Sequence, residues 1–163
     1  MRRVAIPAVV LLLAGCGSEP SGPQDVVVEA GPQQVQVPPS QSCVDGERQQ
    51  FTPVSPIVEV SPDTTIRLTV PDSVAENGWD VQVYDDQIQE RLGIVEVEAG
   101  EAVFEVNSSD VVPPAFYLVV VENAVEECEG FSGAWPVGFL RAGGDLGGTP
   151  TEPTTPAPQA PQG

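Results

Sequence analysis

The chain of 163 residues has room for one domain, and 40% hydrophobic residues with only 6% aromatics support a modest core built on Val, Ile and Leu. It carries 24 Asp and Glu against six Arg, with no Lys and no His, for a formal charge of -18. Such a surface repels phosphate backbones and anionic headgroups, which argues against nucleic acid and direct headgroup binding, and it lacks the usual general base and amine nucleophile.

Residues 1–15 open with Met1-Arg2-Arg3 and continue as an apolar run over residues 4–14. That run is too short to span a bilayer, which takes about 20 apolar residues. A basic start, an apolar stretch and small residues before a cut site are the parts of a secretory signal peptide. The tetrapeptide Leu13-Ala14-Gly15-Cys16 resembles the bacterial lipobox, where the Cys thiol is the nucleophile that receives the diacylglyceryl group and the small side chains before it admit the peptidase. Cys16 is therefore expected to become the lipidated N-terminus, anchored by acyl chains on the extracytoplasmic side of a cell membrane without a transmembrane helix. Loss of Arg2 and Arg3 leaves four basic side chains against 24 acidic ones, a charge near -20.

Residues 16–24 are rich in Gly, Ser and Pro and read as a lipidated tether; its eight residues after Cys16 reach roughly 26 Å when extended. The domain is expected over 25–141 and a disordered Gly/Pro/Thr-rich tail over 142–163. Within the domain, residues 26–28 and 35–37 flank Glu29-Ala30-Gly31-Pro32 as a hairpin, and residues 57–60 form a further strand. Ile66, Leu68 and Val70 alternate with Arg67 and Thr69. Trp79, Val81 and Val83 alternate with Asp80, Gln82 and Tyr84. Between these two strands, Val74-Ala75-Glu76-Asn77 suits one helical turn.

Val95 and Val97, the turn Ala99-Gly100-Glu101, and Ala102, Phe104 and Val106 are expected to form a hairpin. Residues 116–121 are apolar on both faces, as in a central strand, and Trp135, Val137 and Phe139 supply the last strand. About nine short strands without an amphipathic helix predict an all-β fold, an immunoglobulin-like antiparallel sandwich of two sheets; a small barrel has the same periodicity. The cysteine and Trp79 spacing does not match a true immunoglobulin domain, since Trp79 lies 36 residues after Cys43 and Glu126 stands two before Cys128.

With Cys16 acylated, Cys43 and Cys128 are expected to form one structural disulfide in an exported chain. There is no CxxC pair and no His, so redox and zinc chemistry are not indicated. No GxSxG, SxxK or P-loop spacing occurs. No catalytic residue, metal ligand or cofactor is expected, and the chain is read as non-enzymatic. The alternative is a calcium- or small-cation-binding envelope protein, with Asp85-Asp86 or Glu126-Glu127 and Glu129 as the acidic groups. Neither has the spacing of a calcium loop, and both are read as solvated loops. Trp135-Pro136 and the rings of Tyr84, Tyr117 and Phe131 are read as core before groove. Asn107-Ser108-Ser109 is read as a turn before a glycosylation site.

Leu68-Thr69-Val70-Pro71, Ser73-Val74-Ala75, Trp79 and Val81 resemble the hallmark of a family of actinobacterial lipoproteins of unknown function. The resemblance covers about residues 25–121 and implies a lipobox, a strand pair before an early Cys, an all-β domain and an envelope address. It implies no activity. The expected role is a membrane-anchored, non-catalytic binding or structural module whose partners are the membrane, through its lipid, and an envelope protein.

Overall fold

The computed structural model describes residues 22–124, 126–128, 130 and 133–142. Cys16, the expected signal peptide, the part of the expected tether before residue 22, the expected tail from 143 onward, Glu129 and Phe131 lie outside these residues. The described chain forms eleven strands: β1 (Val26–Ala30), β2 (Gln33–Val37), β3 (Gln41–Val44), β4 (Glu47–Gln50), β5 (Ile57–Val60), β6 (Thr65–Thr69), β7 (Trp79–Tyr84), β8 (Arg91–Val97), β9 (Val103–Asn107), β10 (Ala115–Glu122) and β11 (Ala134–Arg141). One short helix, α1 (Asp72–Asn77), and a 3-10 turn at Glu126–Cys128 complete it. Among the described residues no helix is long and apolar enough to cross a membrane.

The strands form two unclosed sheets. The smaller has the order β2-β1-β6-β9, and the larger β4-β3-β11-β10-β7-β8 with β5 beside β11. Pairing is antiparallel except between β5 and β11, which run parallel. β3 meets β11 at Ala134 and β5 meets it from Gly138 to Arg141. Alternation explains the layering. Val26, Val28, Ile66 and Leu68 of the smaller sheet are buried, as are Trp79, Val81, Leu118, Val120, Trp135, Val137 and Phe139 of the larger one, and all belong to one core. Phe116 and Phe139, directly opposed on β10 and β11, stack at 5.3 Å.

The segment that carries the family resemblance is a connection between the sheets. Pro71 stands at the N-terminal boundary of α1, where its missing N–H costs nothing, and its carbonyl accepts the N–H groups of Val74 and Ala75. Val74 and Ala75 are buried. The helix stops at Gly78, whose φ of 79° suits glycine and where a Cβ would lie 2.6 Å from the Asn123 side chain. The chain then enters β7 at Trp79.

Two expectations are corrected. Residues 95–106 do not form a hairpin, because β8 pairs with β7 in the larger sheet and β9 with β6 in the smaller. The turn exists, with Glu101 N–H bonded to the Glu98 carbonyl, but it is a corner: Gly100 N–H is bonded to Ala75 and Val70 N–H to Ala102. The strand count also rises from nine to eleven, the additions being β3 and β4, joined by Asp45-Gly46 with φ of 53° and 75°. Both residues in the left-handed region is the signature of a tight hairpin turn.

The disulfide joins Cys43 of β3 to Cys128 with a Cα separation of 6.0 Å. Asn107-Ser108-Ser109 is a turn: Asn107 Oδ1 accepts the Ser109 N–H, and the buried Ser108 hydroxyl donates to the Ser61 carbonyl while accepting the Thr64 N–H. Arg141 donates to the carbonyls of Ser108, Val111 and Val112, so this cation serves as a clamp on the loop.

Candidate binding surface

The two sheets present unlike outer faces. On the smaller sheet, Glu29, Arg67 and Glu105 stand in one cross-strand row, with Arg67 3.8 Å from Glu29 and 3.3 Å from Glu105. These half-exposed ion pairs contribute little to stability but keep the face polar. Gln34, Thr65 and Asn107 extend that polar surface, and the next row alternates Gln36, Val27, Thr69 and Val103.

On the larger sheet most outward positions are apolar, with Gln82, Asp80 and Glu96 among them as polar exceptions. Register places Ile57, Gly138, Tyr117 and Tyr84 in one row. Pro136, Val119, Gln82 and Ile94 form the next, and Ala134, Val121, Asp80 and Glu96 the third. Ile57 is 56% exposed and Ile94 47%. Gly138 brings the neighbouring chains close, since a Cβ there would sit 3.1 Å from the Tyr117 ring and 3.2 Å from Ile57. Tyr84 donates its hydroxyl to Gln82 Oε1 on the same face. In a sandwich the outward face normally alternates to polar. A contiguous apolar face left uncovered marks an interaction surface.

The predicted ring positions divide between core and surface. Trp135 is core, 2% exposed, with Nε1 donating to the Gln24 carbonyl. Tyr84 and Tyr117, expected in the core, lie half-buried on the outer face. Tyr84 lies three and five residues from the inward-facing Val81 and Trp79, and Tyr117 lies one residue from the inward-facing Phe116 and Leu118, so each points the other way. Val119, Ile94 and Ile57 were not singled out by sequence reasoning; the signal for Val119 was the run 116–121, whose second apolar face requires a cover.

One edge of this face is acidic. Asp80 and Glu96 are directly opposed across β7 and β8, an unfavourable like-charge pair. Burial raises the Asp80 carboxyl above the ordinary carboxylate range; a hydrogen bond from Gln82 and the nearby Arg91 pull it back, and Glu96 adds to the rise. Asp80 Oδ1 is buried without a hydrogen-bond partner.

Among the described residues the predicted acidic groups do not assemble into a cation site. Asp85 Oδ1 accepts the N–H groups of Gln89 and Glu90 and so shapes the β7–β8 turn. Glu126 is exposed, and Glu129 lies outside the described residues. Among the described residues no group of three or more His, Cys, Asp or Glu stands where it could hold a metal ion.

A concavity of about 550 Å³ opens at the end where the chain enters the domain, between Gln24, Cys43, Ser73 and Asn77, with Trp135 in its wall. Asn77 Nδ2 donates to Glu122 Oε1 at 2.7 Å, so the polar pair there is already satisfied. It holds no basic side chain and no His.

A family model described as protein of unknown function (DUF2771) matches residues 19–126, from before β1 into the 3-10 turn. No curated protein and no solved structure matches the chain.

Proposed function

For this chain, which belongs to the DUF2771 family of proteins of unknown function, we propose the role of a lipid-anchored, non-catalytic binding module held on the extracytoplasmic side of a membrane. The observation that carries the binding role is the apolar face of the larger sheet, uncovered among the described residues, on an otherwise acidic domain. A buried hydrophobic cover is what such a face lacks, and a partner protein in the envelope provides one.

The address is supported by different residues. Leu13-Ala14-Gly15-Cys16 offers the acyl acceptor, and the Cys43–Cys128 disulfide fits an oxidising compartment. A tether before β1 lets the domain stand off the bilayer and turn its apolar face to a neighbour. The absence of His and Lys from the sequence fits a module that binds without transforming its ligand.

The test is site-specific photo-cross-linking in the membrane-anchored chain. A benzophenone side chain at Val119, in the centre of the apolar face, is expected to give discrete protein adducts. The same group at Glu105, on the polar face, is expected to give none above background. Equal adduct patterns from both positions overturn the proposed binding face.

A further inference from the structure

β8 ends the larger sheet, paired on one side with β7. Among the described residues no strand occupies its other side. An edge strand exposes unpaired N–H and C=O groups on alternate residues, and native sheets blunt such edges with Lys, Pro, short length or charge. The other edges show some of this. β4 reads Glu-Arg-Gln-Gln over four residues, β2 has three Gln in five residues, and β9 carries Glu105 in the middle.

β8 is different. It is seven residues long, has no Lys and no Pro, and is uncharged from Leu92 to Val95. Leu92, Ile94 and Val95 are 44%, 47% and 44% exposed. Ile94 extends the apolar outer face, whereas Val95 stands in register with the inward-facing Val81, so the strand is apolar on both sides. Its one irregularity, at Val83/Tyr84, lies at the Arg91 end and leaves Gly93 to Val97 in regular pairing.

The charges bordering this edge are of one sign but for Arg91. Glu96 lies at one end opposite Asp80, and Glu90 and Glu98 flank the strand in sequence. A second copy of a chain with net charge -18 brings more carboxylates to them. A basic segment instead places a cation beside Glu96 and offsets its repulsion with Asp80 on the next strand.

We propose that the free edge of β8 takes an extended, cationic segment of a partner protein as an added strand over Gly93 to Val97, with apolar side chains beside Ile94 and Val95 and Lys or Arg beside Glu96. Main-chain hydrogen bonds hold the segment, and the alternation of side chains selects it. This rests on the binding role proposed above and names the chemistry of the partner and the way it docks.

The test titrates the full mature chain, in detergent micelles, with a synthetic peptide of about nine residues, a strand length, having a valine and threonine core between lysine pairs. Two further peptides carry the same side chains but N-methylated amides along one edge or the other. N-methylation on the pairing edge is expected to weaken binding at least about tenfold, while methylation on the other edge leaves it unchanged. Val95→Lys is expected to weaken the unmodified peptide about as much, and Glu29→Gln with Glu105→Gln, which removes two charges from the opposite face, is expected to leave it within about twofold.

Binding indifferent to N-methylation but lost in Val119→Ser overturns strand addition and leaves the face itself as the binding surface. Binding that neither change affects is charge attraction alone and overturns the proposal. So does the absence of binding up to about 1 mM peptide, and so does a dimer of the chain in sedimentation that Val95→Lys dissolves, which assigns the edge to a second copy.

Discussion

Trp79→Ala is expected to destabilise the domain by about 3–5 kcal/mol, the usual range for removing a buried large aromatic side chain. Trp79 is 1% exposed at the first position of β7, the point where the chain passes from α1 into the larger sheet. Its Nε1 donates to the Glu101 carbonyl at 2.7 Å, and its ring meets Phe104 of the smaller sheet edge-on at 6.4 Å. One side chain thus fastens both sheets to the corner at residues 98–102. Truncation leaves a cavity between the sheets and takes the side-chain donor from that carbonyl.

A domain of this size has a total stability of about 5–15 kcal/mol, so the loss is a large part of the whole. Trp79→Phe separates the two contributions. It retains a ring against Phe104 but loses the N–H donor, and is expected to cost less, about 1–3 kcal/mol. Urea unfolding with the disulfide intact measures both. A Trp79→Ala cost below about 1 kcal/mol contradicts the pinning of the sheets at this residue.

Replacing Cys43 and Cys128 together by Ser is expected to cost about 2–5 kcal/mol. The linked residues are 85 apart, and closing a loop of that length in the unfolded chain corresponds to roughly 4–5 kcal/mol. The local geometry gives the bridge a further task. β3 and β4 pair with each other over four positions but meet β11 at one register pair, Gln41 with Ala134. The Ser40 N–H and hydroxyl both reach the Ala134 carbonyl and add little more area.

The hairpin of β3 and β4 therefore depends on the disulfide more than the central strands do. Hydrogen exchange in the double variant is expected to speed up first at residues 41–50, while amides of β10 between β7 and β11 remain protected. Uniform loss of protection contradicts this division.

Much of the fold was legible because alternation reports which way each side chain points. Ile66 and Leu68, Trp79 and Val81, and Trp135, Val137 and Phe139 all turn inward as their spacing requires. The same parity put Tyr84 and Tyr117 on the outer face, against the general tendency of rings to be core. Alternation does not report the partner strand. Val97 and Ala102 both pack on the one core, and their spacing across a tight turn reads as a hairpin whether the second strand returns beside the first or crosses to the other sheet. The hydrogen bonds from Gly100 to Ala75 and from Trp79 to Glu101, distant in sequence, decide for the crossing.

β3 and β4 escaped notice because Gln41, Glu47, Gln49 and Gln50 give no apolar stripe. The Asp45-Gly46 turn was their one local sign. The outer apolar face was half visible: residues 116–121 were apolar on both faces, yet only the sheet order shows that among the described residues no helix or strand covers the outward half. The edge at β8 was not visible, since an edge is defined by what fails to pair with it.

Intact-mass spectrometry of the protein extracted from membranes decides whether the proposed display module is anchored through Cys16. The expected chain begins at Cys16, carries the mass of two or three acyl chains there, and has no alkylatable thiol because Cys43 and Cys128 are joined. An unacylated N-terminus, or a chain retaining residues 1–15, contradicts it.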